Sequence, residues 1–475
     1  MGEIYSGASL TLIIAAEDDA LHGIAGLSTP REHQLSLRLN NALYTTSLVR
    51  PDLEVASSKW ASRAWTLEEG LLSHRRLIFT PSQVYFQCRA LHCYESLSLP
   101  LRLAPDWQLG RVFPAGGDAH PAQAGRIKRL IEAYMCRDLT NHDERLDAIK
   151  ALLREYGRAD GLAVPYFLGL PLFHSHGLVT TGVVSETDRL AASLGWIVCD
   201  GKSTAANTAN TANTVDAAAT TVATTLEAPS EPCCSRTTTS FPSWTWLAWR
   251  LRRKKTTPTP DNLCFTFNLV GDTSPVLHGV SAAPRMEISV GFTDDATVLS
   301  WEIDGDAISG KPTEAISFLR LETYCFGLTA FVDTTCPPTA AAAVWSCLGT
   351  HNRRLVQDMV RTALPRAELS PPVLAADRPP DEPAELAKHE MPLLGVLVSG
   401  RNWKGGDSPC QVTVLICGHS TWEDGRWVRL GALALECEAL CVESGGDGVM
   451  RGVKTGDEER TPRDLPVRRR EVYLY

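Results

Sequence analysis

The segment Ser62-Arg63-Ala64-Trp65-Thr66-Leu67-Glu68-Glu69-Gly70-Leu71-Leu72-Ser73 constrains this chain more than any other. Ala61, Ala64, Trp65, Leu71 and Leu72 fall near one face of a helix over residues 61–72, with Ser62 as its cap. Arg76-Leu77-Ile78-Phe79, the turn Thr80-Pro81-Ser82 and the run Gln83 to Cys88 then read as a β-hairpin. In its second strand Val84, Phe86 and Cys88 alternate with Gln83, Tyr85 and Gln87. Upstream, residues 8–16 form a compact apolar run that reads as a buried parallel strand. Asp18-Asp19-Ala20, Gly23, Gly26 and Pro30 supply turn chemistry after it. A strand, a helix and a hairpin in that order predict an α/β unit.

Glu68-Glu69 is the most informative carboxylate pair. Neighbours on a helix lie about 100° apart, so the two cannot share a face. If Trp65 faces the core, Glu69 lies one turn further along the same face. A carboxylate there is costly unless paired, and Arg63, Arg75 or Arg76 could pair with it. An ion pair fixing helix to hairpin and a catalytic acid are the two readings left open for Glu69.

Beyond the hairpin the pattern turns helical. Ile127, Leu130, Ile131 and Tyr134 repeat at helical spacing, and Thr140-x-x-Asp143 resembles a capping box leading into Leu146, Ile149, Leu153 and Tyr156. A further helix starts at Ser185-x-x-Asp188 and runs through Leu190 and Leu194. Residues 200–240 change to Thr/Ala/Asn runs with almost no large apolar residue, the composition of a flexible insertion. Order returns at Phe241-Pro242-Ser243-Trp244-Thr245-Trp246-Leu247-Ala248-Trp249. Strand patterns then dominate: residues 263–269, 286–292, 318–331, 412–416 and 427–435. A second loop, residues 365–392, is rich in Pro, Ala and Glu.

At 475 residues with 44% hydrophobic content, the chain can bury a large core in more than one domain. Its net charge of −9 disfavours nucleic-acid binding by the chain as a whole. No apolar run reaches bilayer length, and residues 1–5 lack the pattern of a signal peptide, so a cytoplasmic protein without membrane contact is expected. Fourteen scattered cysteines without a Cys-x-x-Cys motif point to reduced thiols and no metal site. Gly201-Lys202-Ser203 mimics a phosphate-binding loop, but Trp196 stands where the first Gly is needed. His174-x-His176 has no companion ligand nearby, and the basic run 250–255 reads as a solvated stretch or a nuclear-import address.

The motif Arg63-Ala64-Trp65-Thr66-Leu67-Glu68-Glu69-x-Leu71-Leu72-Ser73-x-Arg75 resembles the "RgWTLQErlLSpR" block of the fungal heterokaryon incompatibility (HET) domain. Leu77-Ile78-Phe79 and Gln83-Val84-Tyr85-Phe86-Gln87-Cys88 resemble the hairpin that follows it. Met1-Gly2-x-Ile4-Tyr5-x-x-Ala8, Ile14-Ala15-Ala16 and Asp19-Ala20-x-x-Gly23-Ile24-Ala25-Gly26 are similar to the family's preceding segments. Tyr134-x-x-Arg137-x-Leu139-Thr140 with Asp143, Leu146 and Ala148, and the Pro242-to-Ala248 block with Trp244 and Trp246, resemble elements of long HET proteins. Glu68 departs from the family's usual Gln. The family's "SYvWG"-like and "WIDalCInQ"-like opening blocks are absent, so the chain is expected to be N-terminally truncated.

The resemblance implies a partial TIR-like α/β domain over 1–95, then a helical region over 96–199, the 200–240 linker and a β-rich region over 241–475. It implies fungal non-self recognition, with programmed cell death triggered through self-association and signalling. An NAD-cleaving TIR-like enzyme, with Glu69 as catalyst and NAD as substrate, is the alternative, and a non-functional fragment is a third. No cofactor is otherwise assigned. Arg63, Trp65, Leu67, Leu72, Ser73, Arg75, Tyr85, Cys88, Trp244 and Trp246 are the motif or structural residues.

Overall fold

The structure, a computed structural model, describes residues 2–16, 23–31, 34–46, 48–88, 90–96, 101–102, 123–158, 163–173, 184–200, 234–238, 240–251, 263–267, 285–293, 297–331, 390–401, 410–419, 426–437, 439–442 and 464–475. Asp18-Asp19-Ala20, His174, His176, Gly201-Lys202-Ser203, residues 252–255, and most of the 200–240 and 365–392 segments lie outside these. The chain divides into two compact units, one drawn from Met1–Gly169 and the other from Leu170–Arg252 and Leu263–Tyr475. Its content is mixed α/β, with the strands concentrated towards the C-terminus.

In the first unit, α1 (Gly2–Gly7) and β1 (Thr11–Ile14) precede a small hairpin of β2 (Ser36–Leu39) and β3 (Ala42–Thr45). Three short helices follow: α2 (Pro51–Ser57), α3 (Lys59–Ser62) and α4 (Thr66–Leu72). They lead into β4 (Arg75–Phe79), β5 (Val84–Cys88), β6 (Leu91–Tyr94) and β7 (Leu101–Arg102). The strand order is β1-β4-β5-β6-β7, and β1 runs parallel to β4. β1 and β4 are therefore the two ends of a crossover that contains α2, α3 and α4.

Cross-strand register sorts the side chains of this sheet into two faces. Ile13, Ile78, Tyr85 and Tyr94 stand in one row and are all buried. Leu12, Leu77, Phe86 and Cys93 stand in the neighbouring row on the opposite face, and none is fully buried. β1 is parallel, as its composition suggests, but it is an edge strand with one exposed face and not a strand buried on both. In β5 the alternation is present, with Gln83, Tyr85 and Gln87 on the buried side. The turn glycines behave as expected: Gly23 and Gly26 both adopt positive φ, and the Gly26 N–H donates to the Thr29 carbonyl at 2.8 Å.

The remaining elements of this unit are α5 (Gln123–Met135), α6 (Lys150–Gly157) and the two-residue β8 (Tyr166–Phe167). Ile127, Leu130, Ile131 and Tyr134 bury the face of α5 that their spacing marks. The cap of the next turn is Asn141, whose side chain accepts from the Asp143 N–H at 3.2 Å, and not Thr140.

The second unit opens with β9 (Leu170–Pro171), α7 (Glu186–Leu194) and β10 (Trp196–Asp200). Ser185 and Asp188 form a reciprocal capping box at the start of α7. β11 (Cys234–Arg236) pairs with β12 (Trp249–Leu251), so part of the expected 200–240 linker is strand. β13 (Leu263–Phe267) pairs with β10. An eight-stranded sheet follows, built from β14 (Glu287–Phe292), β15 (Val298–Ser300), β16 (Ile316–Phe331), β17 (Glu390–Arg401), β18 (Cys410–His419), β19 (Trp427–Cys437), β20 (Ala439–Val442) and β21 (Asp464–Leu474). β17 and β21 carry no clear sequence signal, and Glu390, Met391 and Pro392 belong to β17 and not to a Pro-rich loop. The pairing closes on itself: β16 joins β17, then β18, then β19, which meets β21 at Trp427 and Leu474, and β21 returns to β16.

Candidate functional site

The helix expected over 61–72 is interrupted. α3 is capped by Ser58, whose hydroxyl accepts from the Ala61 N–H at 3.1 Å, and it ends at Ser62. Arg63 and Trp65 then form a break before α4. The break is built by a partner segment: the Asp138 N–H donates to the Ser62 carbonyl at 2.6 Å, and the Ala64 N–H donates to the Asp138 carbonyl at 2.8 Å. Arg137 is buried and donates to the Arg63 carbonyl at 3.1 Å and to the Thr66 hydroxyl at 3.0 Å. The carbonyls at the helix break are thus satisfied by the Asp138 N–H, the Thr66 hydroxyl and a buried guanidinium, which takes that of Arg63.

This break changes which residues face inwards. Trp65 is half-buried, and its indole N–H donates to Glu144 Oε2 at 3.2 Å. Leu67 and Leu72 are buried, and so is Glu68, whose residue exposure is 1%. Glu69 is half-buried and accepts from the Trp60 indole N–H at 3.0 Å. The Tyr5 hydroxyl also donates to it; burial and then the neighbouring Glu69 charge raise the Tyr5 pKa. Among the described residues Glu69 makes no ion pair with Arg63, Arg75 or Arg76. A continuous helix would bury Glu69; the break at Arg63–Trp65 shifts the helical phase and buries Glu68, one residue earlier.

Glu68 has an unusual environment. One carboxylate oxygen accepts from the Ala151 N–H near the start of α6, while Oε1 has no partner among the described residues. Burial raises its pKa to about 7, against the lowering effects of the Ala151 N–H and Lys150. Nearby, the buried Tyr134 hydroxyl donates to the Arg145 carbonyl at 2.6 Å. The carboxylate therefore sits in a site assembled from α4, α5 and α6.

The other motif residues join helix, edge strand and hairpin. The Ser73 hydroxyl meets the Thr11 hydroxyl at 2.7 Å and the Glu69 carbonyl, tying the end of α4 to β1. Arg75 is exposed and donates to the Ser9 carbonyl at 3.4 Å. Arg76 donates to the Gly70 carbonyl at 2.6 Å, and burial lowers its pKa to about 10. Tyr85 is buried, with edge-to-face contacts to His92 and Tyr94, and Cys88 is half-buried. His92 and Arg145 are part of this interior and carried no motif signal.

Trp244 and Trp246 lie apart, in the second unit, and both are fully buried. The Trp244 carbonyl accepts from the Trp196 indole N–H at 3.0 Å, and the Ser243 carbonyl accepts from the Trp249 indole N–H at 2.8 Å. Arg429 is fully buried against the Trp196 ring, its guanidinium carbon 3.7 Å from the ring centroid. It donates to the carbonyls of Leu194, Trp196 and Trp244, and burial lowers its pKa to about 9. The Leu194 carbonyl is at the negative end of α7, which suits a buried cation.

Among the described residues, no cluster of three or more His, Cys, Asp or Glu could hold a metal ion. No helix among them is long and apolar enough to cross a membrane. Comparison with curated proteins finds no match, and neither does comparison with solved structures. A family model does match, described as heterokaryon incompatibility protein (HET), over residues 1–69. The match includes Arg63, Trp65, Leu67, Glu68 and Glu69 and ends inside α4, before Leu72, Ser73, Arg75, Tyr85 and Cys88. Residues 1–69 are therefore a heterokaryon incompatibility (HET) family segment.

Proposed function

We propose that this chain acts in fungal non-self recognition, triggering incompatibility or programmed cell death through self-association and protein signalling in the cytoplasm. The observation that carries this reading is the HET family match over residues 1–69. The parallel β1–β4 crossover supports a TIR-like arrangement for the first unit. Glu69 has its carboxylate engaged by the Trp60 indole and the Tyr5 hydroxyl, which favours a positioning role over catalysis. Inducible expression of the full chain in fungal hyphae tests the proposal. Death of the expressing compartments is expected; normal growth at equal protein level contradicts it. Nicotinamide release from NAD by the purified chain, abolished by Glu69→Gln, would replace it with an enzymatic reading.

A further inference from the structure

Of the two carboxylates of α4, the fold takes only Glu68 fully inside. One of its oxygens accepts from the Ala151 N–H, and Oε1 has no hydrogen-bond partner among the described residues. Ala151 is the second residue of α6, where backbone N–H groups have no acceptor within the helix. The residue at the capping position is Ile149, which has no side-chain acceptor to offer, and no side-chain cap bond forms. Glu68 therefore caps α6 from α4. The third side of this junction is α1. A Cβ on Gly2 would stand 2.5 Å from the Ala151 Cβ and 3.4 Å from Leu72 Cδ1, so the backbone of α1 lies directly on α6 and α4. An ionised Glu68 can hydrate its second oxygen only if this packing opens.

The groups facing Glu68 do not hold its charge. Tyr5 and the amino terminus face it from the side of α1, Tyr134 from α5, Lys150 from α6 and Asp147 from the turn before it; Glu69 is its neighbour on α4. Burial outweighs the Ala151 N–H, the amino terminus and Lys150, which favour the anion, while Asp147 favours the acid. Lys150 is also paired with Asp147 at 2.5 Å. We propose that Glu68 is a proton-operated latch: the neutral acid holds the start of α6 against α1 and α4, and ionisation loosens that seam while the sheet of the first unit stays folded. The latch is shut in acid. Its proton is held up to about pH 7 when the seam is closed, against an ordinary value near 4.5 once the carboxylate is hydrated. Closure is therefore fully favoured below 4.5 and weakens as pH rises to about 7; above that both forms are ionised and nothing further is lost. The latch needs only the packing of the first unit and does not rest on the cell-death reading.

Amide hydrogen exchange of the full chain from about pH 5 to about pH 8, expressed as protection factors so that the intrinsic pH dependence cancels, tests the latch. The N–H groups of Ala151 and Leu153 donate to Glu68 and to the Ile149 carbonyl. Their protection should fall by up to about tenfold per pH unit as pH rises to about 7, and then level off. Glu68→Gln keeps the shape and the acceptor for Ala151 but cannot ionise, so it should lack this fall. Glu132 of α5, also raised to about 7, is present in both proteins and drops out of the comparison. At neutral pH, Ile78 and Tyr85 in the paired strands β4 and β5 should stay better protected than Ala151. A wild-type profile without the fall, or the same fall in Glu68→Gln, overturns the proposal. Exchange of Ala151 at the rate of Ile78 and Tyr85 at every pH also overturns it, because the whole unit would then be unfolding. If the variant does not fold, the wild-type profile decides alone: a fall with a plateau supports the latch, and a level line overturns it.

Discussion

In the second unit strand pairing leaves β16 through β17, β18 and β19 and returns to it through β21. In the first unit β1 ends its sheet, with β4 its one neighbouring strand among the described residues. The interiors differ in the same way. The second unit surrounds Arg429 with aromatic rings and backbone carbonyls, and its long central strands are buried along most of their described length. The first unit covers one face of its sheet, leaves the other half-covered, and buries a carboxylate with an oxygen that has no partner among the described residues. Within the part that returns on itself, from β16 through β19 and β21, each strand has neighbours on both sides, while β15 ends the β14 branch. An open sheet leaves backbone groups along its edge without a strand partner among the described residues. The HET family match falls on the unit with the open sheet.

The largest expected effect separates two tryptophans that sequence treats alike. Trp244→Ala empties a fully buried site and should destabilise the second unit by about 3–5 kcal/mol. Trp65→Ala removes a half-buried ring and one hydrogen bond to Glu144, so about 1–2 kcal/mol is expected for the first unit. Denaturant unfolding with a probe in each unit checks both; equal losses would erase the contrast between the two interiors.

A smaller effect concerns Glu68. Its folded pKa is raised to about 7, so the folded state favours the protonated form. That contribution is fully present below the unfolded value, near 4.5, and is lost as pH rises through about 7. At pH 8 the buried charge should cost at most about 3 kcal/mol, and Glu68→Gln should remove that cost. Thermal unfolding of the two proteins should therefore converge towards pH 5, diverge as pH rises to about 7, and keep a constant separation above it. A constant offset across that range would show that Glu68 does not titrate within the fold. Glu132 titrates in the same window, also raised to about 7 by burial, so the comparison is made against a Glu132→Gln background.

Much of this organisation could be read from residue types because periodicity and capping are local. The Ser185–Asp188 box, the buried face of α5 and most long strands followed from spacing alone. What failed was non-local. The break at Arg63–Trp65 depends on Arg137 and Asp138, more than seventy residues later in sequence, and without it the phase of α4 is misread. A continuous helical phase puts Glu68 outward and Glu69 inward, the reverse of their observed burial. β17 and β21 were missed because Pro392 and the arginines at 468–470 disguise strands whose place is set by their neighbours. Arg429 has no motif at all: its role comes from carbonyls supplied by three separate segments. The exposure of β1 could not be read either, since an edge strand and a central strand share the same composition.

Amide hydrogen exchange on dilute full chain compares the two sheets most directly. At sub-micromolar concentration, Leu12 and Ile14 should exchange near the rate of an unprotected strand edge, while Val414 and Leu415 in β18 should remain protected. Strong protection of Leu12 and Ile14 in dilute protein would contradict the account, because it would mean that the edge of β1 is already covered.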